Sequence, residues 1–302
     1  MPFLVTPLDF ALIGAQKCAT TWFYDCLSEH PQLQLPADKR EIAYFGGPLF
    51  RERGESWFEQ RYAGAKGERL RGDISVEYLN DRGSAALLRR EFPHVKVVAV
   101  MRDPVERAIS AYFWYYRKGL VHDDLDTALA RELRDVRGGA PAADGATDFL
   151  RRSLYRPTLE PWLEAFPPQQ VMTVLFEDVS ADPASALRSL FTFLGVDPSF
   201  TPRAIGSRPK RNAYSLALLG LERLAPVDRN RGRVLKKLMD LANQLLATTR
   251  FRRQRPALAP ELAGSLRELF DAELVQLDRL VRRLPEANRP GWAEVRSRWR
   301  QA

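Results

Sequence analysis

The sequence predicts an α/β fold, a central parallel sheet flanked by helices with a helical C-terminal extension. Three observations predict it. Apolar runs at residues 9–14, 95–101 and 170–176 read as strands, and the middle one, Val95 to Met101, is a continuous β-branched stretch of the kind a parallel sheet buries on both faces. Helical segments separate these runs, as a parallel α/β sheet requires. No linker-like stretch divides the 302 residues, so a single domain is expected over 1–302, with the helical part from about 213 to 302 packed on it.

The elements follow in order. Asp9 to Gly14 reads as a buried strand, Gly14 to Ala19 as a small-residue turn, and Thr20 to about Glu29 as a helix broken by His30-Pro31. Gln32 to Leu35 is a brief extended piece ended by Pro36, and Asp38 to Gly67 is a polar, glycine-broken region. Leu70 to Ser75 reads as a strand and Ser84 to Phe92 as a helix. Asp103-Pro104-Val105-Glu106 is a helix start: Asp103 can cap, Pro104 fits the first helical position, and Glu106 completes a capping box. That helix is expected to reach about Lys118, before Gly119, and Gly138 to Gly145 reads as a loop. Leu154 to Phe166 reads as a helix broken at its start by Pro157, Gln170 to Phe176 as a strand closed by Glu177-Asp178, and Asp182 to Leu194 as a helix ended by Gly195. Arg203 to Asn212 is a basic loop. The rest is helical, best in Glu261 to Leu284, where Leu262, Leu266, Leu269, Phe270, Leu274, Leu277 and Val281 form one stripe.

Composition narrows the function classes. The chain is 45% apolar and 28% charged, and no run approaches the roughly 18 apolar residues of a membrane helix. Met1 to Phe10 has no basic stretch and contains Asp9, so no secretory signal is expected and the location is expected to be cytoplasmic. Two cysteines make no disulfide framework, and with three histidines they leave little for a zinc site; no metal is expected. The net charge is +8, with only 8 lysines among 46 basic residues. That excess favours phosphorylated or polyanionic ligands and equally fits a solvated basic surface. No nucleic-acid partner is expected.

The first chemical motif is Gly14-Ala15-Gln16-Lys17-Cys18-Ala19-Thr20-Thr21-Trp22. It follows a strand and opens a helix, where free N–H groups and the helix dipole favour an anion. Lys17 adds a point charge, and Thr20 and Thr21 add hydroxyl donors. A tight turn with a solvated lysine would look the same. The motif is not that of a P-loop kinase, the rival enzyme class: Gln16 precedes the lysine, Cys18 follows it, and the strand Val97 to Met101 ends in Arg102 instead of a metal-holding acid.

The second motif is Arg102-Asp103-Pro104-Val105-Glu106-Arg107-Ala108-Ile109-Ser110-Ala111-Tyr112. Arg102 sits at the carboxyl end of the best strand, where open α/β sheets place their ligand crevice. Ser110 lies two turns down the capped helix and can flank the same space. An arginine fork with a hydroxyl suits a second phosphate.

With both motifs in this order, nearly the whole chain resembles sulfotransferases that use 3′-phosphoadenosine 5′-phosphosulfate (PAPS), closest to the bacterial branch related to heparan sulfate sulfotransferases. The resemblance implies a P-loop-like three-layer fold. It implies that Ala15, Gln16, Lys17, Cys18, Ala19, Thr20 and Thr21 hold the 5′-phosphosulfate and that Arg102 and Ser110 hold the 3′-phosphate, leaving 3′-phosphoadenosine 5′-phosphate (PAP) as product. Arg40-Glu41-Ile42-Ala43-Tyr44-Phe45 resembles the family's K-E-x-x-F-F segment, which makes Glu41 the implied general base and Lys17 the group that stabilises the leaving oxygen. Tyr155 with Trp162 resembles a family helix, which places Tyr155 among the implied nucleotide-binding residues; Phe176-Glu177-Asp178 with Asp182-Pro183 and Phe193-Leu194-Gly195 resembles a further segment, and Lys210 and Arg211 the loop that closes over the nucleotide. Trp22 fits either an adenine platform or a core aromatic. Gly72-Asp73-Ile74-Ser75-Val76-Glu77-Tyr78 departs from the family's G-E-K-T-P-x-Y, with Ile74 for lysine and Val76 for proline. The expected acceptor is a small molecule, a glycolipid or a saccharide, and the chain is expected as a monomer or homodimer. Cys18 and Cys26 read as packing residues. The aromatics Tyr112 to Tyr116 are divided between core and an acceptor cleft.

Overall fold

A computed structural model describes residues 8–38, 43–45, 49–62, 69–140, 148–207 and 257–300. Glu41, Lys210 and Arg211 lie outside the described residues. The chain divides into two compact units, one of residues 1–107, 154–209 and 269–302 and one of 108–153 and 210–268.

The first unit holds the sheet. Its strands are β1 (Phe10–Gly14), β2 (Leu33–Gln34), β3 (Leu70–Ile74), β4 (Lys96–Met101) and β5 (Val171–Leu175). They run in the order β2-β3-β1-β4-β5, and every pairing is parallel. Val97 to Met101 pair with Val171 to Leu175, and all ten are buried, as continuous apolar strands with two covered faces should be. The expected strands are present within a residue or two of their sequence limits.

The strand order fixes where a ligand can bind. From β1 the chain leaves toward β2 at one edge; from β4 it leaves toward β5 at the other. The loops after β1 and β4 therefore diverge at the carboxyl end of adjacent strands, which is the switch point of an open α/β sheet. The first motif, and the second from Arg102 to Arg107, lie there.

Helices α1 (Thr20–Ser28), α2 (Leu49–Gln60) and α3 (Ser84–Glu91) come next in the chain, and α4 (Pro104–Arg117) follows β4. The helix α2 was not expected in the polar region 38–67. It bends at Gly54, and its useful signal is confined to Trp57 and Phe58 near its end, where Phe58 joins Tyr44 (ring centroids 4.8 Å) and Phe45 (4.9 Å). After α5 (Leu125–Arg137), α6 spans Tyr155–Ala165. Pro157 does not break it, because a first-turn proline has no intrahelical N–H to lose. Leu175 is followed directly by α7 (Phe176–Ala181), so the Glu177-Asp178 pair is helical; α8 (Pro183–Leu194) is capped by Asp182 Oδ1 on the Ser185 N–H at 3.0 Å and ended by Gly195 at φ 84°.

The predicted C-terminal stripe is real. Within α9 (Pro260–Val281), Leu262, Leu266, Phe270, Leu274, Leu277 and Val281 are buried, and Leu269, at the edge of the stripe, is half-buried. The last helix, α10 (Val295–Arg300), sets Trp299 against Tyr155 at 6.0 Å and pairs Arg298 with Asp178. His30 is buried, packed on Phe191 and Phe200, with Nδ1 accepting from the Gln32 N–H and Nε2 facing the Asp197 carbonyl at 3.1 Å. It is a structural pin.

In the second unit, α5 was also missed. Asp124 caps it through the Thr127 N–H at 2.9 Å, and Leu125, Leu129 and Leu133 are buried. Buried Glu132 accepts three main-chain N–H bonds, from Phe149, Leu150 and Arg151, at 2.8, 2.8 and 3.0 Å. Of the aromatic run on α4, Tyr112, Phe113 and Tyr115 are buried, while Trp114 and Tyr116 are half-buried. Among the described residues, no helix is long and apolar enough to cross a membrane.

Candidate active site at the switch point

The loop after β1 is shaped by close packing. Gly14 has φ 141°, and a Cβ there would stand 3.1 Å from Leu79 Cβ and 3.2 Å from the Val76 carbonyl oxygen. Glycine is thus required where β1 ends. Ala15 donates its N–H to the Val100 carbonyl at 2.8 Å, which ties the loop to β4, and Cys18 donates back to Ala15 at 3.2 Å. Lys17 and Ala19 both occupy the left-handed region, at φ 73° and 65°. Two such non-glycine residues within three positions are uncommon, and strained backbone of this kind gathers at ligand-binding loops. Ala19 stands at the N-cap of α1 without any side-chain acceptor. The helix dipole favours an anion at this end of α1.

The side chains fit that role in different ways. Lys17 and Gln16 are half-buried, Thr20 is buried and Thr21 is exposed at the helix start. Trp22 is buried against Phe23 at 5.1 Å, within the core. Burial pushes the Cys18 thiol up to about 11 despite the nearby Arg107 and Arg102 charges, so it stays neutral. Cys26 is likewise buried and pushed up to about 12. Both behave as the packing residues expected.

The loop after β4 is built around Arg102. Its guanidinium lies 4.7 Å from the centre of the Phe176 ring and pairs with Glu106 at 3.0 Å. Its main chain is gripped by one phenol: Tyr155 Oη donates to the Arg102 carbonyl at 2.9 Å and accepts from the Arg102 N–H at 3.2 Å. The same hydroxyl is 4.0 Å from Cys18 Sγ. Asp103 caps α4 as expected, accepting the Glu106 N–H at 2.8 Å. The reciprocal half of the capping box is not made by Glu106, whose carboxylate turns to Arg102. Glu177 takes that place, accepting the Asp103 N–H at 2.9 Å. Fully buried Arg107 adds a second positive charge below the loop. Ser110 is half-buried on α4, in the second unit.

A third cluster supports the end of β3. Asp73 is buried and accepts from Tyr78 Oη at 2.5 Å and Arg61 at 3.4 Å, while Tyr62 Oη donates to the Gly72 carbonyl at 3.0 Å. Burial raises the Asp73 carboxyl and the Arg61 charge and Tyr78 hydroxyl pull it down. Ile74, in the lysine position of the resembling family, is buried in this strand. The roles of Glu177 and Asp73 and the pairing of Glu106 with Arg102 were not read from the sequence; the acidic pair just after β5 was the available signal for Glu177.

Two adjacent strand ends thus carry the N-terminus of α1 with its lysine and a braced arginine fork, groups whose chemistry suits anions.

Comparison with known proteins places this arrangement. Residues 7–207 match the sulfotransferase domain family. Among relatives, a membrane-associated sulfotransferase, kil1, of Dictyostelium discoideum is 23% identical over 279 residues, covering 65% of this chain and 59% of its own length. Heparan sulfate glucosamine 3-O-sulfotransferase 3B1 of Mus musculus is 29% identical over 196 residues, covering 64% of this chain and 47% of its own. The bifunctional heparan sulfate N-deacetylase/N-sulfotransferase 1 of Caenorhabditis briggsae is 25% identical, covering 64% and 23%. The chain therefore spans between about a quarter and three fifths of the length of these relatives. A crystal structure of a sulfotransferase from Alicyclobacillus acidocaldarius shares the fold, with TM-score 0.67 and 23% identity over 96% of this chain and 100% of the other. With its two motifs set on the diverging loops of a parallel sheet, the chain belongs to the sulfotransferase family.

Proposed function

We propose that the protein transfers the sulfuryl group of PAPS to a hydroxyl, or an amine, of a small-molecule or saccharide acceptor, in line and without a metal. The observation that supports this reading is the Arg102 fork, braced by Tyr155, and the Lys17 loop at the N-terminus of α1, set at the ends of neighbouring strands. A nucleotide with phosphate at both 5′ and 3′ positions matches that pair, whereas ATP carries all its phosphates at one end.

The donor set fits such a ligand. The loop N–H groups with Thr20 and Thr21 would hold the 5′-phosphate, and Arg102 with Ser110 the 3′-phosphate. Lys210 and Arg211 would close over the nucleotide. PAPS supplies an activated sulfuryl group. The acceptor oxygen forms the new S–O bond as the bond to the bridging phosphate oxygen breaks, and Lys17 stabilises the charge that collects there. Glu41 takes the acceptor proton. The chain's own work is positioning and electrostatics. The names of the heparan-type relatives support a saccharide acceptor, with a glycolipid or secondary-metabolite hydroxyl as the other candidates.

The test is a transfer assay with PAPS and panels of saccharides, glycolipids and phenols, in EDTA, read by mass spectrometry of the acceptor. Sulfated product with the parent and its loss in Glu41→Gln would support the mechanism. A Glu41→Gln variant with full turnover would remove Glu41 from it. Phosphorylation of an acceptor by ATP with magnesium, without sulfation from PAPS, would replace the reading by the kinase one.

A further inference from the structure

The phenol of Tyr155 touches both loops of the site and belongs to neither. Its oxygen both donates to and accepts from Arg102, the first residue beyond β4, and lies 4.0 Å from Cys18 in the loop beyond β1. Past Met101 the ladder between β4 and β5 has ended, so the polar groups of Arg102 have no strand partner and the phenol supplies the bonds a strand would make. The ring is 1% exposed, begins α6 and is backed by Trp299 at 6.0 Å. Burial raises its ionisation well above the ordinary tyrosine range, so the hydroxyl keeps the proton that it donates.

We propose that Tyr155 is a positioning residue that fixes the spacing between the two loops, and through Arg102 sets the preference for a nucleotide carrying a 3′-phosphate. The proposal rests on the donor-nucleotide reading above. The phenol acts through Arg102, whose main-chain N–H and carbonyl it both holds, while Cys18 Sγ lies 4.0 Å from the same oxygen. Arg102 carries its fork at the end of a long side chain, so a small rotation of an unbraced backbone swings the guanidinium away from a phosphate. Misplacement by about 1 Å costs up to about 100-fold where geometry matters this closely.

The experiment compares PAP with 5′-AMP, which lacks the 3′-phosphate, by calorimetry on the full chain and on Tyr155→Phe. The Kd for PAP is expected to rise about tenfold or more while that for 5′-AMP changes less than about threefold. In turnover, KM for PAPS is expected to rise with kcat nearly unchanged. Equal weakening of both nucleotides would mean that the phenol only supports the fold, and would overturn the proposal. A parent that binds no PAP would overturn the donor reading itself, a separate outcome. If Tyr155→Phe does not fold, amide exchange at Arg102 in the ligand-free parent decides. Slow exchange is expected from the bond to Tyr155, and exchange at the rate of an open loop would overturn the strut.

Discussion

Glu273 makes the stability of the fold depend on pH. Its carboxyl, on α9, accepts the Arg156 main-chain N–H at 2.5 Å and so caps the first turn of α6. Burial pushes this carboxyl from 4.5 up to about 7, against the pull of the Arg156 N–H and guanidinium. A carboxyl whose pKa is higher folded than unfolded binds its proton more tightly in the folded state. Its contribution is complete below pH 4.5, declines as pH rises, and is lost above about 7. The interval of about 2.5 units, at 1.36 kcal/mol per unit, corresponds to about 3 kcal/mol. The partial exposure of the residue makes that an upper bound. In Glu273→Gln the amide oxygen still accepts the N–H and no charge forms. Urea unfolding followed by circular dichroism from pH 4 to 8 is therefore expected to show the variant more stable at pH 8, by up to about 3 kcal/mol, with the difference vanishing at the acid end. Parallel stability curves for parent and variant would refute the reasoning.

Three further outcomes are expected. Lys17→Met removes the charge at the leaving oxygen, and kcat in the PAPS transfer assay should fall about 100-fold or more with the thermal midpoint nearly unchanged. Arg102→Lys keeps the charge and loses the fork, and calorimetry should show PAP bound about tenfold more weakly. Gly14→Ala adds a Cβ 3.1 Å from Leu79 and 3.2 Å from the Val76 oxygen at a φ of 141°, and should cost about 1–3 kcal/mol in chemical unfolding.

The parts legible in the sequence are those that local chemistry decides. The strand ending at Met101 is apolar from Val97 on, and Asp103 and Asp182 cap the helices they precede. The phosphate-type loop is readable because a strand, a small-residue turn and a helix follow within a dozen residues. The misses have two sources. Helix α2 lies in a polar stretch, kinked at Gly54, where tertiary packing of Phe58 outweighs weak periodicity, whereas α5 carries a readable signal, Asp124 as cap with Leu125, Leu129 and Leu133 at four-residue spacing, within a segment whose charge makes it read as variable surface. The support of the site is long-range: Tyr155 reaches Arg102 across 53 residues, Glu177 reaches Asp103 across 74, and Glu273 reaches Arg156 across 117. Glu106 shows the limit most clearly. The sequence pattern assigns it to the capping box, but a neighbouring guanidinium competes for the same carboxylate, and Glu177 caps instead.

The central claim is that two anion receptors on adjacent strand ends bind a nucleotide phosphorylated at both 5′ and 3′ positions. Calorimetric titration of the full chain with PAP in EDTA tests it most directly, with ATP and adenosine 5′-phosphosulfate as controls. The account predicts tight, metal-independent binding of PAP and weak binding of both controls. Magnesium-dependent binding of ATP with none of PAP would contradict it.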